Sequence, residues 1–144
     1  MSRYNKKKVI YLVRSPLSAR DFKRFGIKNW INHKWETKVF DITKFLNPGF
    51  WRHADGDKLS FNFEGLTIFQ NINDVLSTIN NLQNKVVFID ILGFSNAEMR
   101  IRAAARAHGV LVKIKLGFIP KAKINKNIWE LFSLIKNPIA FIKK

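Results

Sequence analysis

VVFIDILGFSNAEMRIRAAARAHGVLVKIKL, residues 86–116, reads as one complete strand–helix–strand unit. VVFIDIL (86–92) is a continuous apolar run interrupted only by Asp90, the pattern of a strand buried on both faces. Ser95 followed three residues later by Glu98 is a capping box, so a helix opens at Asn96. Gly109 closes that helix, and VLVKIKL (110–116) resumes the strand pattern. A strand, a helix and a strand at this spacing imply a parallel crossover.

The same alternation extends toward the N-terminus. VIYLV (9–13) is a second buried strand, ended by Ser15-Pro16. Pro16 suits a first helical turn, and Ser18 with Asp21 resembles another capping box, predicting one helix through Phe22, Phe25 and Trp30 to Asn32-His33. Lys34–Ile42 (KWETKVFDI) reads as a strand nearer the sheet edge, Leu66–Phe69 (LTIF) as another strand, and Asn73–Leu82 as a helix with Val75, Ile79 and Leu82 inward. Between them, Thr43–Gly65 reads as a long loop studded with Phe45, Phe50, Trp51, Phe61 and Phe63, of the kind that covers a site. The order is βαβ, loop, βαβαβ. With right-handed crossovers this predicts an α/β, Rossmann-like three-layer sandwich with a mostly parallel five-stranded sheet in the order 3-2-1-4-5.

The domain organisation expected is an α/β domain over 1–120 and a basic amphipathic tail helix or linker over 121–144. In the tail, Ile128, Leu131, Phe132, Ile135, Ile139 and Ile142 fall within about 100° of arc on a helical wheel. Pro138 would kink it. Such a stripe packs on its own domain, on a membrane surface or on a partner, and the pattern leaves all three open. The residues suited to a membrane or partner are Ile128, Trp129, Leu131, Phe132, Ile135, Phe141, Lys136, Lys143 and Lys144.

Composition narrows the function classes. The 144 residues carry 26 basic and 10 acidic side chains, a net charge of +16. Residues 1–38 hold eleven Lys/Arg against Asp21 and Glu36, and residues 121–144 hold six against Glu130. That surface attracts polyanions, nucleic acid and anionic lipid alike. Zero cysteines exclude disulfides, thiolate metal sites and cysteine nucleophiles. No apolar run approaches the ~18 residues of a membrane span. VIYLV is too short for a signal core, so the expected location is the cytoplasm.

Chemistry belongs at the carboxyl ends of the strands, at the switch point between strands 1 and 4. Arg14-Ser15 follows the first strand there and Gly93-Phe94-Ser95 the fourth, both leading to helix N-termini that favour an anion or a sugar hydroxyl. Neither turn is a GxGxxG or a P-loop, which argues against nucleotide binding in those modes. The plainer roles are capping for Ser15, Ser18 and Ser95 and carboxylate pairing for Arg14. Asp90 is expected to face the cleft or cap a helix. His33, His53 and His108 lie far apart, and Asp55-Gly56-Asp57 is ordinary turn sequence, so no catalytic residue and no metal site is assigned.

KKVIYLVRSPLSARDFKRFGI (7–27), VFDITKFLNP (39–48), FEGLTIF (63–69) and FIDILGF (88–94), with the basic segment after them, resemble the N-terminal domain of bacterial GT-B-type glycosyltransferase-like proteins of surface and capsular polysaccharide biosynthesis. The resemblance covers nearly the whole chain, on segments that chiefly carry the fold. It implies an acceptor-side domain, peripheral at the inner membrane, whose partner is a sugar or lipid-linked acceptor. It implies no cofactor within this chain, the nucleotide-sugar donor being held by a second domain. Arg14, Ser15, Gly93, Phe94 and Ser95 correspond to its cleft-facing turns by position. The alternatives are a basic nucleic-acid-binding α/β module and an adaptor docking a partner through its tail helix.

Overall fold

The computed structural model describes residues 7–55, 60–83 and 85–114. The tail 121–144 and Asp57 lie outside the described residues. The elements run β1 Lys8–Val13, α1 Ala19–Arg24, α2 Ile27–Asn32, β2 Glu36–Asp41, α3 Thr43–Leu46, α4 Pro48–His53, β3 Leu66–Ile68, α5 Ile72–Asn80, β4 Val86–Ile91, α6 Asn96–His108 and β5 Gly109–Lys113. All five strands are parallel, in the order β3-β2-β1-β4-β5. This is the doubly wound arrangement expected from the alternation of strand and helix signals. Among the described residues no helix is long and apolar enough to cross a membrane.

The period-2 geometry of β1 divides the core. Ile10 and Leu12 face one side with Phe40 and Phe88, covered by Val75 and Ile79 of α5 and Ile101 and Ala105 of α6. Val9, Tyr11 and Val13 face the other with Val39 and Ile89, covered by Leu17 and by Ile27, Phe22 and Trp30 of the α1–α2 layer. A strand with helices on both faces has no solvated side, which is why VIYLV and VVFIDI are continuous rather than alternating. Burial of each large aliphatic side chain contributes roughly 1.5–3 kcal/mol.

Three local expectations are corrected. The helix expected from Phe22 through Trp30 is two helices, broken at Gly26, whose φ of +67° lies in the left-handed region. Glycine adopts that conformation without the steric cost of a side chain, so the chain turns there. The turn lets Trp30 Nε1 donate to the Tyr11 hydroxyl at 2.8 Å while Tyr11 donates to the Phe25 carbonyl at 2.7 Å. Thr43–Gly65 is not one loop, because it contains α3 and α4. Their four and six residues are too short to show a helical period. Asp41 starts α3 by accepting from the Thr43 amide at 2.8 Å, and Pro48 fits the first turn of α4. Boundaries also move: β2 starts at Glu36 rather than Lys34, which has φ +62°, and α5 runs from Ile72 to Asn80.

The crossover from α6 to β5 has no connecting residues. Gly109 stands opposite Val86, and a Cβ at Gly109 would lie 1.9 Å from the Val86 carbonyl oxygen. Only a glycine lets the two backbones come this close.

Candidate functional site

The carboxyl ends of β1 and β4 stand side by side, Val13 opposite Ile91. Arg14 and Gly93 therefore leave the sheet as neighbours, and a Cβ on Gly93 would meet the Arg14 guanidinium at 1.8 Å. The structure thus brings Arg14 onto the Gly93–Ser95 turn, as the topology predicts. Ser15 is exposed and makes no side-chain hydrogen bond among the described residues.

The anion position at this turn is already filled. Glu98, only 1% exposed, accepts from the Gly93 amide at 2.7 Å and the Ser95 amide at 2.8 Å. Ser95 Oγ in turn accepts from the Glu98 amide at 3.3 Å, completing the capping box, and Arg14 Nη1 lies 3.6 Å from the Glu98 carboxylate. Burial alone would raise the Glu98 carboxyl. The Ser95 and Gly93 amides, the Ser95 hydroxyl and the Arg14 charge outweigh it and hold the group below its ordinary range. The expectation that these amides await a ligand gives way to an internal carboxylate in the ligand's place. Ser95 is a cap, and Arg14 is a paired cation.

One strand further out, the chemistry is open. Asp90, also 1% exposed, accepts from Arg102 Nε at 2.7 Å and Arg102 Nη2 at 3.1 Å, and from the Leu92 amide at 2.9 Å. Asp90 thus faces a cavity, as one of its two expected placements had it, and caps no helix. It anchors a bidentate arginine. Arg102 Nη1 makes no bond to a described residue, and Arg102 lines a cavity of about 310 Å³ together with Asp90, Phe94, Met99, Arg106, Leu111 and Lys113. Phe94 is 78% exposed, with Lys113 Nζ 4.2 Å and Arg102 Cζ 5.5 Å from its ring centroid. Those cations hold an aromatic ring in water at the rim of the sheet. Among the described residues no carboxylate pairs with Arg106 or Lys113.

Arg102, Arg106 and Lys113 were not legible as site residues. The available signal was the i, i+4, i+8 spacing of Glu98, Arg102 and Arg106, which puts them along one side of α6. What that side meets, Asp90 and the end of β5, depends on the sheet register that sets Asp90 opposite Lys113.

The remaining candidates do not converge. His33 Nδ1 lies 2.7 Å from the Asn29 carbonyl oxygen, His53 ends α4, and His108 ends α6. Among the described residues no group of His, Asp and Glu is placed to hold a metal. A larger cleft of about 390 Å³ lies beside Phe25, Trp30 and Trp35, but the Trp30 N–H is committed to Tyr11. At the carboxyl end of β2, Asp41 is fully buried, and its Oδ2 has no hydrogen-bond partner among the described residues. Burial pushes its carboxyl up against the opposing bonds from Thr43 and Leu17. The described carboxyl edge thus offers binding chemistry, with Asp90 and Glu98 both engaged by arginines. No known protein family, curated protein or solved structure matches this chain.

Proposed function

We propose that the chain is the acceptor-side domain of a glycosyltransferase acting in bacterial surface polysaccharide biosynthesis. The observation that carries this reading is Phe94. An aromatic ring 78% exposed, steadied by Lys113 and Arg102, stands at the carboxyl edge of a parallel sheet, on the rim of the α6–β5 cavity. That is where open α/β sheets bind ligands, and an exposed ring flanked by N–H donors suits the apolar face and hydroxyls of a sugar. The nucleotide-sugar donor would sit on a second domain facing this edge. The surplus of lysine over acid in residues 121–144 supports a peripheral place at the inner membrane.

The test is retention on an array of bacterial surface oligosaccharides, for the wild-type chain and for Phe94→Ala. The expected result is retention of a subset of glycans by the wild type, with loss in Phe94→Ala. Absence of any retained glycan, together with duplex DNA binding that weakens steeply with salt, would replace this reading by the nucleic-acid one.

A further inference from the structure

We infer that the cavity between α6 and β5 is a phosphate-binding site that takes the phosphate of a phosphorylated sugar. The sugar half of this assignment rests on the acceptor-domain reading above; the phosphate half rests on the cavity alone.

Three features build the site. Arg102 is a buried cation, its side chain 10% exposed, fixed through Nε and Nη2 to Asp90. Its orientation is set before any ligand arrives, so binding costs little side-chain entropy. Nη1 has no partner among the described residues and can take a ligand oxygen. Second, Asp90 also lines the cavity but has both oxygens engaged by Arg102 and the Leu92 amide, whereas Arg106 and Lys113 bring two further charges that make no ion pair among the described residues. Two uncompensated cations beside a preset guanidinium match a phosphate better than a single carboxylate. Third, Phe94 forms the rim, so a ring attached to the phosphate rests against an aromatic face. A cavity of about 310 Å³ accommodates one phosphate with its sugar, not the succession of phosphates along a nucleic-acid strand.

The neighbouring Gly93–Ser95 turn explains why the site lies here. Its amides are occupied by Glu98, so an anion arriving at the carboxyl edge finds the switch point closed and the α6–β5 cavity open.

Calorimetric titration of the full chain at low salt tests this with inorganic phosphate, a hexose 1-phosphate, the free hexose, and vesicles containing phosphatidic acid. The expected result is tighter binding of hexose 1-phosphate than of inorganic phosphate. Arg106→Gln/Lys113→Gln should weaken both by about tenfold or more, the consequence of losing charge-assisted bonds. Lys23→Gln/Lys28→Gln removes the same charge from exposed positions on α1 and α2, the helices that cover the other face of the sheet, and should weaken binding by less than about twofold. Equal losses in the two double variants, or no phosphate binding by the wild type, would overturn the site. Vesicle binding that needs Arg106 and Lys113, without hexose 1-phosphate binding, would assign the phosphate to a lipid headgroup and overturn the sugar assignment. The acceptor-domain reading fails separately, if phosphate binds here while no glycan is retained on the array.

Discussion

Two carboxylates, Asp90 on β4 and Glu98 in the first turn of α6, are each 1% exposed and each face an arginine. They do opposite things. Glu98 turns inward on the backbone, taking the Gly93 and Ser95 amides and leaving Arg14 at 3.6 Å as a half-exposed third partner. Asp90 turns on a side chain, locking Arg102 at 2.7 Å so that the arginine becomes part of a cavity wall. An acid that satisfies the backbone closes a site, and an acid that fixes an arginine builds one. A helix N-terminus at a switch point is thus a binding site only when the helix does not supply its own anion.

The largest break in that comparison is at Asp90. Asp90→Ala leaves Arg102 buried without a counter-charge and should cost about 3–5 kcal/mol in denaturant unfolding. The double variant Asp90→Leu/Arg102→Met removes both charges and should recover most of that loss while abolishing phosphate binding. Glu98→Ala should cost about 2 kcal/mol, for the lost capping box and the unpaired turn amides. It should also open the turn to phosphate, creating a second anion site where the wild type has none.

The pH dependence sharpens the same contrast. The Glu98 carboxyl is held below its ordinary range in the folded state, so its contribution is complete above that range. It is lost as pH falls from about 5 through the ordinary carboxylate range and below. Glu98→Gln should flatten this loss of stability on acidification. Asp41 carries the opposite sign: burial raises its carboxyl, so stability is lost as pH rises from the ordinary carboxylate range up through its raised folded value. Unfolding free energies of wild type, Glu98→Gln and Asp41→Asn across pH 3–7 (a span of roughly the carboxylate titration range) check both signs.

Two glycines and Phe94 separate packing from binding. Gly93→Ala meets the movable end of Arg14 and should cost about 1 kcal/mol, whereas Gly109→Ala meets the Val86 backbone and should cost about 2–3 kcal/mol. Phe94→Ala should change stability by no more than about 0.5 kcal/mol, because the ring is largely in water, yet it should abolish sugar-dependent binding.

The strand order was legible because the two central strands carry unbroken apolar runs, and the Ser95–Glu98 box marks its helix without tertiary information. The break at Gly26 was not, since an isolated glycine in a helical pattern is tolerated more often than it redirects the chain. The short helices α3 and α4 were lost for want of length. For the site, the turns after β1 and β4 were found from topology, but their occupancy was not. Glu98 was legible as a cap, and the same cap closes the turn to ligands. Arg102 was not singled out, because its partner Asp90 lies 12 positions away and meets it only when α6 packs on β4.

The central claim is that ligands enter at the α6–β5 cavity and not at the switch-point turn. Backbone NMR shifts of the full chain titrated with hexose 1-phosphate test it most directly. The largest changes are expected at Phe94, Arg102, Arg106 and Lys113, with Gly93 and Ser95 held by Glu98 and little moved. Largest changes at Arg14, Gly93 and Ser95, with Arg106 and Lys113 silent, would contradict it.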